Sequence, residues 1–148
     1  MTALDSKLGP LSEINRTIRE NRIADYRSPA LALGIRPVEF GHGISRWSWN
    51  EQPAAAINPF GTLSGGYLAL FVDELFSTAI GSMLEDGEWA VTVEIKCSYL
   101  RALRPGVIEG SAHVIRRAHS IAFLEGRVLD SEGKPAVSAS STWSIGRA

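Results

Sequence analysis

The sequence predicts an α+β fold in which an antiparallel sheet wraps around one long central helix. The apolar segment 66–84 has the length of a helix and is apolar on nearly every face, so burial on nearly every face is expected. Two extended segments precede it, and four consecutive segments with strand-like alternation follow it. One strong helix flanked by hairpins favours an α+β architecture over the repeated strand–helix units of a parallel sheet.

Composition narrows the class of protein. The 148 residues suit one domain, 1–148. A net charge of −1 does not produce the positive electrostatic potential that favours binding to nucleic acid or to an anionic membrane. The one cysteine, Cys97, excludes an internal disulfide and a cysteine-based zinc cluster. Neither a signal peptide nor a membrane span is indicated, so we expect a soluble, cytoplasmic protein.

The N-terminal region, residues 1–28, is predicted to be an extra helical extension. Segment 7–26 carries many charges, and three aliphatic side chains recur in it at helical spacing, which predicts one packed stripe. These side chains are Leu11, Ile14 and Ile18. Ser28-Pro29 should end the helix, because the residue before a proline disfavours helical conformation.

Strands account for most of the remaining chain. Residues 30–50 predict two strands that break near Gly41-His42-Gly43, with Trp47 and Trp49 on one face. After the central helix, the segment "WAVTVEIKCSYL" alternates strictly. Its alternation predicts one face with Val91, Val93, Ile95, Cys97 and Tyr99, and another with Thr92, Glu94, Lys96 and Ser98. Three further strands follow, separated by turns.

The stretch "NPFGTLSGGYLALFVDEL", residues 58–75, carries the candidate chemistry. It is close to the G-x-S-x-G nucleophile elbow, but loop residues rather than a strand precede Ser64, and Thr62 stands where the elbow needs glycine. We therefore interpret Ser64 as a helix N-cap. The backbone N–H groups that follow it, at Gly65 and Gly66, would form a site for an anion or an oxyanion.

Asp73 is the second candidate, because burying an unpaired carboxylate is costly unless the group has a partner or a role. The alternative to a functional role is that Asp73 lies on a narrow, solvent-exposed polar face of the helix, a wet stripe that it shares with Glu74, Ser77 and Ser82. Eight residues separate Gly65 from Asp73, roughly 12 Å along a helix, so one carbonyl cannot contact both in one chain. Two antiparallel helices across a two-fold axis would bring them together, which predicts an obligate dimer.

The stretch "N-P-F-G-T-L-S-G-G-Y-L-A-L-F-V-D" resembles the signature of hotdog-fold acyl-CoA thioesterases of the phenylacetate-degradation (PaaI-like) branch. That signature reads N…G…H-G-G, with an acidic residue seven positions after the second glycine. Asn58 stands at its asparagine and Asp73 at its acidic position. The resemblance covers residues 30–146, and it implies a hotdog fold in a homodimer or a dimer of dimers.

The resemblance also implies roles for individual residues. Asp73 would act as general base or nucleophile, and the Gly65 N–H would stabilise the oxyanion. Asn58 would position the thioester or the water, and Ser64 replaces the family's histidine. Further substrate contacts, including those to the coenzyme A phosphates, are implied at Gly66, Thr92, Arg116, Arg117 and His119. A solvated hairpin end is the alternative for the last three.

The function implied by the resemblance is hydrolysis of an acyl-CoA, with an aryl or medium-chain acyl group, to a free acid and coenzyme A. Coenzyme A is part of the substrate, and neither a metal nor a cofactor is expected. The replacement of histidine by Ser64 leaves a non-hydrolytic protein that binds acyl-CoA or acyl-carrier ligands as an alternative. A hotdog dehydratase or hydratase is a third possibility, and it would need His42 or His113 beside Asp73.

Overall fold

The computed structural model describes residues 5–148, so the first four residues of the predicted extension lie outside it. Six antiparallel strands form one sheet in the order β1-β2-β4-β5-β6-β3. The strands are β1 (Ile35–Gly41), β2 (Ile44–Trp49), β3 (Glu88–Tyr99), β4 (Ile108–Arg117), β5 (Ile121–Leu129) and β6 (Pro135–Arg147). The helices are α1 (Asp5–Arg19) and α2 (Gly65–Gly81). The predicted α+β class, element order and central helix are confirmed.

The central helix α2 packs across the sheet and contacts β1 to β5. Nine of its residues are buried, as expected for a helix that is apolar nearly all round. From β2, Trp47 and Trp49 are 1% and 0% exposed, and the Trp49 ring centroid lies 6.1 Å from that of Phe71. Trp47 and Trp49 therefore share one face of β2, as predicted, and the structure shows that this face points into the core.

Helix α1 ends at Arg19 rather than at residue 26, which corrects the prediction. Asn21 adopts the left-handed conformation (φ 53°) just past the helix. The N–H of Arg22 donates to the Thr17 carbonyl at 2.9 Å, and the N–H of Asn21 donates to the Ile18 carbonyl at 3.1 Å. This is the Schellman pattern, in which asparagine can replace the usual glycine.

Only part of the predicted stripe of α1 is buried. Ile18 is 4% exposed and lies so close to α2 that a Cβ at Gly81 would meet its Cδ1 at 2.8 Å. Leu11 and Ile14 are 36% and 48% exposed. The helix therefore docks through its C-terminal half, and two aliphatic side chains remain partly uncovered.

A β-bulge in β3 corrects the predicted alternation of this strand. The register with β6 shifts between Thr92 and Glu94, which leaves Val93 as the extra residue. Thr92 pairs with the buried Trp143 and so lies on the face that α2 covers, whereas Val93 is 62% exposed. A bulge inserts one residue and exchanges the faces on either side of it. Val91 and Val93 therefore do not share a face with Ile95, Cys97 and Tyr99, contrary to the prediction.

Strand β3 lies at the edge of the sheet. Within residues 5–148 it pairs with β6 on one side, and no strand pairs with its other edge. It is 12 residues long, and it exposes Val91 as well as Val93. Over the same described part of the chain, no helix is both long enough and apolar enough to cross a membrane.

Candidate active site

The loop that leads into α2 is organised by Asn58. Its Oδ1 accepts hydrogen bonds from the N–H groups of Phe60 (3.0 Å) and Thr62 (3.2 Å). Its Nδ2 donates to Thr62 Oγ1 at 2.8 Å. These bonds close the turn that precedes the helix, so the structure places the Asn58 side chain inside the loop that shapes the start of α2.

Ser64 occupies the N-cap position of α2, as predicted, but its side chain does not cap the helix. Its backbone is extended (φ −65°, ψ 135°), and its hydroxyl makes no cap hydrogen bond to any described residue. The flanking Leu63 and Leu68 are 4% and 3% exposed, at the two positions of a hydrophobic staple. The expected side-chain cap is therefore wrong, and two buried leucines at the staple positions flank the helix start instead.

The start of α2 presents backbone donors. Among residues 5–148, no acceptor outside the helix pairs with the N–H of Gly65 or of Gly66, and these belong to the first turn, where no carbonyl of the helix can reach. The helix dipole is positive at this end. The chain thus holds a preformed donor site at the two glycines that the sequence singled out.

Tyr99 packs directly against this donor site, although the sequence did not indicate it. Its hydroxyl donates to the Gly65 carbonyl at 2.6 Å, and a Cβ at Gly65 would lie 3.3 Å from its Cζ. That carbonyl belongs to the same peptide unit as the Gly66 N–H, so the bond polarises this donor further. Strand alternation indicates the face of Tyr99 but not that this face meets the start of α2.

Asp73 lies half-buried in the middle of α2, and Thr92 of β3 lies beside it. The Thr92 hydroxyl donates to Asp73 Oδ1 at 3.1 Å. Burial raises the pKa of the Asp73 carboxyl above its ordinary value, and the bond from Thr92 opposes part of that rise. The bulge thus brings together two of the predicted site residues.

Glu74, the next residue, is held by the segment that follows α1. Its carboxylate accepts hydrogen bonds from the hydroxyls of Ser28 and of Tyr26, the latter at 3.4 Å. Burial raises the pKa of Glu74, and the neighbouring charge of Asp73 raises it further. Ser82, the far member of the alternative wet stripe, is only 7% exposed. The wet-stripe interpretation is therefore wrong for this end of the helix.

The three residues predicted to contact the coenzyme A phosphates, Arg116, Arg117 and His119, differ in their surroundings. Arg117 donates to the carboxylate of Glu88, which is 1% exposed, so its guanidinium is committed to a buried ion pair. This partner corrects the expectation that Arg117 is available for phosphate. Arg116 and His119 are exposed at the β4–β5 end of the sheet. No group of three residues able to hold a metal ion occurs in the described part of the chain.

A cavity of about 600 Å³ is separate from these residues. It lies on the sheet face opposite α2, where Lys96, His113 and Arg127 contribute to its polar lining. Neither Asp73 nor Gly65 borders it. The candidate chemistry therefore depends on α2 and β3 rather than on this cavity.

The hydrogen bond from Thr92 predicts a specific pH dependence. Replacing Thr92 with valine removes a donor that stabilises the ionised carboxyl, so the pKa of Asp73 should rise further. We expect the acid limb of the kcat/KM profile to move to higher pH in Thr92→Val, whereas Thr92→Ser should retain the wild-type limb. Superimposable profiles for the two variants would show that this bond does not tune Asp73.

Together, the fold and the site define an enzyme class. A mid-helix carboxylate and open amides at the start of the same helix, on a six-stranded antiparallel sheet, are the parts expected of a hotdog-fold thioester hydrolase. The chain belongs to the thioesterase superfamily, whose profile matches residues 60–137, more than half of its length. The predicted thioesterase superfamily, fold class and enzyme class, a thioester hydrolase, are confirmed.

Solved structures with the same fold include a thioesterase from Haemophilus influenzae, at 24% identity and a TM-score of 0.76, covering 86% of this chain and 88% of that one. The E. coli PaaI protein from the phenylacetic acid degradation operon is similar at 20% identity and a TM-score of 0.76, covering 91% and 96%. A hypothetical thioesterase protein from Streptococcus pneumoniae, solved with coenzyme A, is similar at 18% identity and a TM-score of 0.70, covering 76% and 86%. Curated proteins yielded no match.

Proposed function

We propose that the protein hydrolyses an acyl-CoA thioester in the manner of the PaaI-like branch, giving a free acid and coenzyme A. The observation that carries this proposal is the hydrogen bond from Thr92 of β3 to Asp73, which lies on the helix whose first amides are open. The raised pKa of Asp73 brings it closer to the range useful for a general base. The coenzyme A in the Streptococcus pneumoniae structure supports the choice of substrate class.

In the proposed reaction, the ionised Asp73 either removes a proton from water or attacks the thioester carbonyl itself. The carbonyl oxygen gains negative charge, which the Gly65 N–H stabilises at the positive end of the helix. When water is the nucleophile, its oxygen forms the new bond to the carbonyl carbon, the carbon–sulfur bond breaks, and the proton held by Asp73 passes to the departing thiolate of coenzyme A. When Asp73 is the nucleophile, the thiolate leaves first, and water then cleaves the mixed anhydride on Asp73, which releases the free acid and restores the carboxylate. Asn58 serves this site by shaping the loop, and Arg116 and His119 are available for the coenzyme A phosphates.

We also propose that each site is shared by two subunits. Gly65 and Asp73 are separated by roughly 12 Å along α2, too far for one carbonyl to reach both. The open edge of β3 offers an interface, because an exposed strand edge pairs readily with another strand. Antiparallel pairing of two copies of β3 would continue the sheet across a two-fold axis and place the two helices side by side. Such dimers could associate further into a dimer of dimers.

The competing functions have weaker structural support. A dehydratase or hydratase would need histidine beside Asp73, but His113 lines the polar cavity on the opposite face of the sheet. His42 lies in the β1–β2 turn, where the following Gly43 donates to Ser82 near the C-terminal end of α2. The non-hydrolytic binding protein is favoured only by Ser64, which replaces the family's histidine.

A panel of aryl- and alkyl-CoA esters with a thiol-trapping dye tests the proposed hydrolysis. We expect the release of thiol to depend on enzyme concentration and to saturate with at least one short or medium acyl group. Free coenzyme A and an oxygen-ester analogue serve as controls for the dye. Saturable binding of these esters without any release of thiol would overturn hydrolysis in favour of the binding protein.

A further inference from the structure

A second, smaller cavity of about 160 Å³ lies between α1, α2 and β3. Helix α2 contributes Ser77 and Ile80 to its wall, and β3 contributes Ala90. The floor includes Trp143 of β6. Most of the lining is apolar, so the cavity suits a hydrocarbon group better than a charged one.

The cavity lies one helical turn from the candidate carboxylate. Ser77 follows Asp73 by four residues, so it lies one turn along the same face of α2. Ala90 precedes Thr92 by two residues and lies on the same face of β3. Trp143 is the direct β6 partner of Thr92. When the carbonyl of a bound substrate lies at Asp73, the hydrocarbon part of the same substrate therefore reaches this cavity along the surface of α2.

Helix α1 closes the cavity at the far end. Leu11 and Ile14 line it, although 36% and 48% of these side chains are exposed, and Ile18 packs beneath them. The helix is anchored by Asn15 Nδ2, which donates to the Glu88 carbonyl at 2.9 Å, and by an Arg19–Asp86 ion pair at 2.7 Å. The backbone of this wall is therefore held in place. Its partly exposed aliphatic side chains can be substituted with little loss of stability, because they contribute little to the core.

We propose that this cavity receives the acyl group of the thioester and that α1 limits the length of the acyl group. This inference rests on the proposed function, since it names the acyl site of the same reaction. An apolar cavity of about 150 Å³ accommodates benzene, so about 160 Å³ suits an acyl tail of similar bulk. A longer chain would have to displace α1.

Chain-length profiles of wild-type and variant proteins test the role of α1. We expect wild-type kcat/KM to peak near hexanoyl-CoA and to fall steeply at palmitoyl-CoA. Ile14→Ala, alone and with Leu11→Ala, should move the peak to a longer ester and raise kcat/KM for decanoyl-CoA by about tenfold, the order expected for an additional accommodated methylene. Ile14→Trp should move it towards butyryl-CoA.

Val107→Ala is the matched control, because Val107 is 53% exposed and does not line the cavity. Its profile should follow the wild type. If Ile14→Ala and Ile14→Trp leave the chain-length profile unchanged while hydrolysis is intact, the acyl site is overturned and the proposed function stands. If the wild type hydrolyses no ester, the proposed function is overturned.

In that second case, calorimetry tests the cavity separately from turnover. Tighter binding of hexanoyl-CoA than of coenzyme A, weakened by Ile14→Trp but not by Val107→Ala, would support an acyl site in a binding protein. Equal affinities for the two ligands, or an affinity unaffected by Ile14→Trp, would overturn the cavity assignment as well.

Discussion

Asp73→Asn is expected to lower kcat/KM by about 10³-fold, within the range that a general base contributes, while leaving the fold intact. Asparagine has nearly the same shape and still accepts the hydrogen bond from Thr92, but it can neither remove a proton nor attack a carbonyl. Steady-state kinetics on the best ester of the panel measure the effect. Unchanged kinetics would remove Asp73 from the mechanism.

The same substitution should stabilise the protein near neutral pH. Because burial raises the folded-state pKa of Asp73, the folded protein binds this proton more tightly than the unfolded chain. The stabilisation from that proton is complete below the unfolded pKa of about 3.9 and is lost as pH rises through the folded pKa. Asparagine carries no charge to bury, so its advantage in thermal unfolding should appear at neutral pH and vanish in acid.

Glu109→Gln provides a control for both readouts. Glu109 lies in β4, its side chain is exposed, and its charge is far from the Asp73–Thr92 pair in the sheet order. Removing its charge should neither lower kcat/KM nor stabilise the protein at neutral pH. An equal stabilisation of both variants would indicate a general effect of net charge rather than relief of the buried carboxylate.

Gly65→Pro is expected to reduce kcat/KM by about 10²- to 10³-fold, the cost of removing one oxyanion donor. Proline deletes the N–H of the first helical residue, a position where proline is well tolerated. Ser64 already has the extended backbone (φ −65°, ψ 135°) that a residue before proline prefers. Gly65→Ala is the matched control, because it brings a Cβ to the same place near Tyr99 and keeps the N–H.

Mixing the two inactive variants tests whether the site is shared. When Gly65→Pro and Asp73→Asn chains are unfolded together and refolded at equal amounts, about half of the dimers should contain one chain of each kind. Each such dimer would hold one site with both wild-type groups, so about a quarter of the wild-type activity should return. Activity that stays at the level of the separate variants would place both groups of a site in one chain.

Local patterns sufficed to predict the elements and the two central candidates. The apolar segment around Asp73 predicted a buried helix and the Ser64-Gly65-Gly66 run predicted its start, because both follow from spacing within a few residues. The shared face of Trp47 and Trp49 followed from alternation in the same way. These features are local, and a single sequence contains the information for them.

The errors came from contacts between distant parts of the chain. Arg117 looked available until Glu88, 29 residues earlier, proved to be its buried partner. The bond from Tyr99 to the Gly65 carbonyl spans 34 residues. Periodicity could not predict where α1 ends, because that depended on the left-handed conformation of Asn21. It could not predict the face of Thr92 either, because that depended on an extra residue in β3.

The bulge at Val93 makes β3 a strand with two phases. Before it, even-numbered residues such as Thr92 face α2, and after it odd-numbered residues such as Cys97 do so. A relative without the extra residue would keep a single phase throughout. An alignment that runs through β3 without a gap would then match Thr92 to a residue on the opposite side of the sheet. Tracing the partner of Asp73 to such a relative therefore requires a gap of one residue at this position.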